Sequence, residues 1–320
     1  MKISVIIPTY NRADMIVYAL DSLKKQSFHD FEVIIVDDGS TDRSKEIISM
    51  YEQSLKMKYL SLVHSGNIAR LRNQGILHAE GEYLVFLDSD DWCQENRLEL
   101  QYRYHLQNND CGISATWVYV EDYIHNEITD KIEGLYNMKN DQEEIIKRCL
   151  NEGCCICNST VMMKKELLEK LGGYDEDMYI CEDFNLWIRA FLANIKIDII
   201  SHKLVHRRIH NNSVTAGYSG GEEAIRLIIR NKLQYLYGRG KLNREICIWG
   251  KNDRSCILIE ELLKVGRTVK EGSLIDFRSE ENPNFNKNAF QLVTTFSHKE
   301  DVFSFFIRGG LNIMEDYIYI

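Results

Sequence analysis

Four short apolar runs, each separated from the next by a stretch with helical periodicity, fill the first ninety residues of the chain. Ile3-Ser4-Val5-Ile6-Ile7 is nearly continuous and β-branched, the pattern of a strand covered on both faces. Met15, Ile16, Ala19, Leu20 and Leu23 then recur at helical spacing. Residues 31–36 form a second buried strand, and Ile47, Ile48 and Tyr51 mark the apolar side of a second helix. Residues 60–63 read as a third strand, Asn67 as the cap of a helix carrying Leu71, Ile76 and Ala79, and residues 83–87 as a fourth strand. Parallel neighbours need a crossover, and a helix supplies it. The alternation therefore predicts an α/β fold with a doubly wound, mostly parallel sheet.

The order beyond residue 90 is less regular. Strands are expected over 113–120 and 203–209, and helices over 141–150, over 165–171 before Gly172-Gly173, and from Glu182 onward. An amphipathic helix over 222–237 is expected to close a first domain of residues 1–240, with Gly238-Arg239-Gly240-Lys241 as the linker. Residues 241–320 read as a small Rossmann-like α/β unit. Ile246 to Trp249 opens it, Ser255 caps a helix to Val265, and strands follow over 273–277, 291–296 and 316–320, with a helix over 301–309. Gly250-Lys251-Asn252-Asp253-Arg254-Ser255 stands where a dinucleotide fingerprint would lie, but Asn252 and Ser255 replace two of its glycines. Those glycines permit the tight turn and close helix packing, so the unit is expected to serve packing or assembly.

Composition narrows the partners. A formal net charge of -9 with no long basic run argues against nucleic acid, which is bound through clustered Lys and Arg. The opening residues run straight into a strand with no leader, and nine cysteines without one suggest reduced thiols and a cytoplasmic protein. Cys149, Cys154, Cys155, Cys157 and Cys181 fit no zinc spacing, and Cys155 and Cys157 are expected to alternate on a strand. Arg226, Arg230 and Lys232, followed by Arg239 and Lys241, read as a solvated helix face; peripheral contact with an anionic membrane is the alternative. A homo-oligomer is left open.

Ligands of open α/β sheets bind beyond the carboxyl ends of the strands. Strand one runs into Pro8-Thr9-Tyr10-Asn11-Arg12, strand two into Asp37-Asp38-Gly39-Ser40, and strand four into Asp88-Ser89-Asp90-Asp91. One such cluster would be a helix cap; three on one edge predict a shared crevice. Two facing acidic clusters call for a cation or hydrogen-bond donors between them, and Asp88 and Asp90 are hard oxygen ligands suited to Mg²⁺ or Mn²⁺. Neither a Walker A sequence nor an intact G-x-G-x-x-G occurs, which leaves a metal-bridged diphosphate as the natural ligand.

Val5 to Arg12, Val36 to Asp42 and Gly81 to Asp91, with Asn73-Gln74-Gly75-Ile76, Gly172 to Glu176, Glu182 to Arg189 and Arg208-Ile209-His210, closely resemble family 2 glycosyltransferases of the GT-A fold, over roughly residues 1–215. The resemblance implies an inverting enzyme that moves a sugar from a nucleotide-diphosphate donor, a UDP-sugar, to a glycan or lipid-linked acceptor. Pro8, Thr9, Tyr10 and Arg12 would line the donor site, with Asp38 accepting a hydrogen bond from the base. Ser89 and Asp88 would join them, and Arg70 or Arg72 would lie near the diphosphate. Asp90, Asp88 and His210 would hold Mn²⁺ or Mg²⁺. Asp183 would be the general base, with Glu182 and Gly173 on the acceptor side. A helix-start position suits an ionised Asp183. A nucleotidyltransferase of similar fold and a non-catalytic nucleotide-sugar-binding module are the competing readings.

Overall fold

Strand β1 (Ile3–Thr9) and strand β2 (Phe31–Asp37) are buried along their whole length, as their β-branched composition requires. They pair in parallel with Ile3 opposite Phe31. Strand β3 (Met57–Ser61) lies outside β2, and β4 (Tyr83–Phe86) lies on the other side of β1, both parallel. The sheet continues through β7 (Met162–Lys164), β6 (Ile113–Asp122), β8 (Ile197–Ile209) and β5 (Trp92–Cys93), in the order β3-β2-β1-β4-β7-β6-β8-β5. The pairs β4–β7, β7–β6 and β8–β5 are antiparallel, while β6–β8 is parallel. The fold is α/β with a mixed sheet, parallel in the half that the first ninety residues build.

The computed structural model describes residues 1–122, 126–210, 221–269, 274–275, 286–295 and 299–320. By packing, the chain forms two compact units: Met1–Ile145 with Cys155–Ser219, and Ile146–Cys154 with Gly220–Ile320. The helix Glu222–Gly238 thus groups with the second unit instead of closing the first. No described helix is long and apolar enough to cross a membrane.

In the first unit, α1 (Ala13–Lys24) buries Ile16, Ala19, Leu20 and Leu23 against Val5, Ile7, Val33 and Ile35. Helix α3 (Ile68–His78), which follows α2 (Ser44–Ser49), is capped by the Asn67 side chain accepting from the Arg70 amide at 3.1 Å. Gly75 lets α3 approach β1: a Cβ there would lie 2.5 Å from Ile6 Cγ2. Helices α4 (Arg97–Gln107), α5 (Asn126–Tyr136), α6 (Gln142–Asn151), α7 (Lys165–Lys170) and α8 (Glu182–Leu192) follow. The third strand begins three residues before the expected run, because it is the edge of the sheet and its half-exposed residues carry little apolar signal; Val63 is 84% exposed. Cys155 and Cys157 lie in irregular chain rather than on a strand, before the short turn of helix Asn158–Thr160.

The second unit holds a four-stranded parallel sheet ordered β10 (Leu274–Ile275), β9 (Ile246–Trp249), β11 (Phe290–Val293) and β12 (Tyr317–Tyr319). The helix Asp253–Lys264 is capped by Asn252, not by Ser255. Ser255 is its third residue and closes a capping box: its amide donates to Asn252 Oδ1 at 3.0 Å and Asn252 N donates to its hydroxyl at 3.1 Å. Lys232 is a further correction. It is buried, not solvated, and donates to the Tyr319 carbonyl at 3.1 Å. Arg226 and Arg230 pair with Glu261, and Arg226 also with Glu222 and Glu260, so this basic face is neutralised within its own unit.

Candidate active site

The loops after β1 and β2 are stitched together by side chains. Asn11, in the left-handed region at φ 49°, donates its amide to Ser40 Oγ at 2.8 Å and accepts from the Thr41 amide at 2.8 Å. Arg12 N donates to Ser44 Oγ at 3.0 Å. Asp37 is spent on this scaffold, accepting from the Ser40 amide and hydroxyl and from the Tyr59 hydroxyl. Pro8 sits within β1 opposite Val36. The buried Thr9 hydroxyl has no hydrogen-bond partner among the described residues.

Asp38 is 2% exposed and satisfied by the loop after β3. Its Oδ1 accepts from the Ser65 amide and hydroxyl at 2.9 Å each, and its Oδ2 accepts from the Gly66 amide at 2.7 Å. His64 Nδ1 lies 2.9 Å from the same Oδ2. The His64 imidazole also lies on the ring of Tyr10, with centroids 4.1 Å apart and planes 18° apart.

Arg72 and Arg70, alternatives in the sequence, occupy different surroundings. Arg72 is buried and forms ion pairs with Asp88, at 2.9 Å, and with Glu182. The Tyr174 ring lies 5.3 Å from its guanidinium. Arg70 stands in the first turn of α3, half-buried, and its guanidinium makes no hydrogen bond or ion pair among the described residues.

Glu182 and Asp183 open α8 after Cys181, which adopts φ 60°. Burial raises the Glu182 carboxyl to about 7 despite the nearby Arg72 charge. Burial also raises Asp183, again opposed by Arg72 and by the Phe184 amide, which donates to Asp183 Oδ1 at 2.6 Å. Gly173, at φ 71°, ends the turn after α7, and a Cβ there would lie 2.9 Å from Asn73 Oδ1. Its carbonyl accepts from Arg189 at 2.7 Å, which makes it a docking point between α3 and α8.

Asp90 Oδ2 lies 2.8 Å from His210 Nε2. Burial acts to raise the Asp90 carboxyl, but His210 and Arg12 hold it below its ordinary value. Asp91 is buried and lifted well above the usual carboxylate range by burial and by its neighbours Asp90 and Asp88; it accepts from the Arg208 amide at 2.9 Å. Ser89 is buried beside them, and Ser159 Oγ accepts from the Asp88 amide at 3.0 Å.

The expected trio for a cation is therefore not gathered. Among the described residues, no three His, Cys, Asp or Glu side chains are placed to hold a metal. Asp88 is turned toward Arg72, whereas Asp90 and His210 meet, and His210 Nδ1 is buried with no hydrogen-bond partner among the described residues. The contacts of His64 with Asp38 and Tyr10 are not legible in the sequence, since His64 follows a weak edge strand. Its one signal was its place on the same carboxyl edge as Asp38.

This α/β sheet, with carboxylates and two arginines gathered at its carboxyl edge, is that of a GT-A-like transferase. The family model for glycosyl transferase family 2 matches residues 4–172. An uncharacterized glycosyltransferase of Methanocaldococcus jannaschii is 32% identical over 213 residues, covering 65% of this chain and 71% of that protein. The poly(ribitol-phosphate) beta-N-acetylglucosaminyltransferase TarS of Staphylococcus aureus is 43% identical over 102 residues, which are 31% of this chain and 18% of TarS. A crystal structure of TarS 1–349 in complex with UDP superposes with a TM-score of 0.57 at 25% identity, covering 82% of this chain and 71% of that one. The chain belongs to glycosyl transferase family 2 and is a glycosyltransferase.

Proposed function

We propose that the enzyme transfers a sugar, with inversion, from a UDP-sugar to a hydroxyl of a glycan or lipid-linked acceptor in the synthesis of a surface polysaccharide. The observation that carries this reading is buried Arg72, which binds Asp88 of the donor edge and Glu182 beside Asp183 in one cluster. On this reading, a carboxylate of the donor side and one of the acceptor side share the Arg72 guanidinium. The UDP bound by TarS and the hydroxyl-bearing poly(ribitol-phosphate) in its name support a UDP-sugar donor and a polymeric acceptor.

In the mechanism, Thr9, Tyr10 and Asp38 receive the nucleoside. Arg70, whose guanidinium is unengaged among the described residues, faces the diphosphate, while Arg72 holds the carboxylates in place. Asp183 takes the proton from the acceptor hydroxyl, whose oxygen attacks the anomeric carbon as the bond to the diphosphate breaks. Burial makes Asp183 a stronger base than a solvated carboxylate, and the Arg72 charge opposes that rise.

Asp90 and His210 fit a divalent cation, because Mg²⁺ and Mn²⁺ take one or two carboxylates and complete their shell with water and substrate phosphates. Bound there, the cation would neutralise charge on the departing diphosphate. Its use here is part of the proposal; a mannosyltransferase of Pyrobaculum calidifontis, solved with GDP-Man and Mn²⁺, shares the fold at 19% identity. We place the reaction on the cytoplasmic side of a membrane, where lipid-linked acceptors are presented.

Nucleoside-diphosphate release from a panel of UDP- and GDP-sugars, with Mn²⁺, Mg²⁺ or chelator, tests the reading. Release from a UDP-sugar that falls in chelator is expected. Release from GDP-sugars alone would overturn the donor assignment, and full activity in chelator would overturn the cation.

A further inference from the structure

A nucleobase bound by protein needs a flat face to stack on and a polar partner for its ring edge. On the reading given above, Tyr10 supplies the face and Asp38 the partner. Both are already engaged. The His64 imidazole lies on Tyr10 at 4.1 Å and 18°, a stacked pair. In the same pose its Nδ1 reaches Asp38 Oδ2 at 2.9 Å and the Asp38 carbonyl at 3.0 Å. A flat heterocycle resting on Tyr10 with a ring N–H toward Asp38 is also what a uracil ring would present.

We infer that His64 holds the place of the nucleobase in the donor site and that the base enters by displacing it; this rests on the reading of Tyr10 and Asp38 as the base site. Asp38 leaves little choice. Its remaining contacts are the Ser65 amide and hydroxyl and the Gly66 amide, so an incoming base N–H and His64 compete for the same oxygen.

The exit is local. The His64 side chain is 50% exposed, so rotation about its χ1 carries the ring into solvent. The bonds from Ser65 and Gly66 to Asp38 need not break, and α3 keeps its Asn67 cap. Gly66, at φ 66°, has nothing within 4 Å of where a Cβ would stand, so the turn carrying His64 is open on that side. His64 is thus a specificity residue: it admits a ring able to win both the Tyr10 face and the Asp38 oxygen, and it keeps that buried carboxylate paired at other times.

A site that is competent only when His64 has left binds more weakly by the fraction of time it is open. Titration of UDP and of inorganic pyrophosphate against the full chain and His64→Ala tests this. Expected is a UDP affinity raised by roughly 3-fold to 10-fold in the variant, with pyrophosphate binding unchanged. Unchanged or weakened UDP binding in His64→Ala overturns the inference, since His64 would then be a bystander or a direct contact of the base. Tyr10→Ala and Asp38→Ala separate this from failure of the underlying reading. If they weaken UDP binding, the base site stands and only His64 is at issue. If neither does, the base lies elsewhere and the inference falls with the reading.

Discussion

Glu182 and Asp183 are neighbours in sequence with different surroundings. Glu182 is bound to Arg72 and buried, whereas Asp183 accepts only its neighbour's amide among the contacts given above. One carboxylate anchors the cluster, and the other has an oxygen left for the acceptor in the proposed reaction. Asp183→Asn preserves shape and removes the proton acceptor, so transfer is expected to fall by roughly 100-fold to 10,000-fold with UDP binding little changed. Steady-state rates beside a nucleotide titration check it; near-normal turnover would leave Asp183 as a helix-start acid only. At this scale the sequence was most informative where chemistry is contiguous. Asp88, Ser89 and Asp90 follow a buried strand directly and could be read at once. What it could not distinguish was Arg70 from Arg72, since they are two apart on one helix and only packing decides which guanidinium is buried.

At the scale of elements, α3 brings Arg72 to the cluster, and its approach to β1 depends on Gly75 lacking a side chain. Gly75→Ala places a methyl group against Ile6 and is expected to cost about 1–3 kcal/mol, as overpacking does. A lowered denaturation midpoint, with weaker donor binding from the shifted arginine, would be the signature in urea titration. The helix Glu222–Gly238 shows how residue type can mask position. Ile229, Lys232, Leu233 and Leu236 fall at helical spacing on one stripe, and all four are buried. The stripe was legible, but the charge of Lys232 argued for solvent.

That burial, with Arg254 and Lys299 nearby, lowers Lys232 from 10.5 to about 7. Between those values the unfolded chain holds a proton that the folded unit does not, so stability rises as pH goes from about 7 toward 10.5 and is lowest below 7. Lys232→Met is expected to stabilise the protein near neutral pH by on the order of 1 kcal/mol or more and to flatten that slope. Melting temperatures between pH 6 and 9.5 measure it; an unchanged slope would mean that the lysine keeps its charge.

For the whole molecule, the alternation of the first ninety residues specified the parallel half of the large sheet, while the mixed half joins strands distant in sequence, which local pattern cannot pair. The division into units was harder still, because residues 146–154 belong to the second one. Asn151 is the reason: its Oδ1 accepts from the Tyr319 amide at 2.9 Å and its carbonyl accepts from Lys299 at 3.0 Å. On the ribosome, Asn151 emerges before any of the strands it will meet has been made. Cys149 and Leu150, buried in the folded chain, lie in this same early segment, made before residues 220–320 of its unit. A release at Gly240, the boundary that the sequence suggests, would strand them along with Leu227, Ile229, Leu233 and Leu236. Such a fragment is expected to aggregate or be held by chaperones, whereas supplying residues 241–320 as a separate chain should recover soluble material, a comparison that co-expression and sedimentation can make. In this enzyme the ribosome delivers the second unit in two parts, and the first must wait for the other.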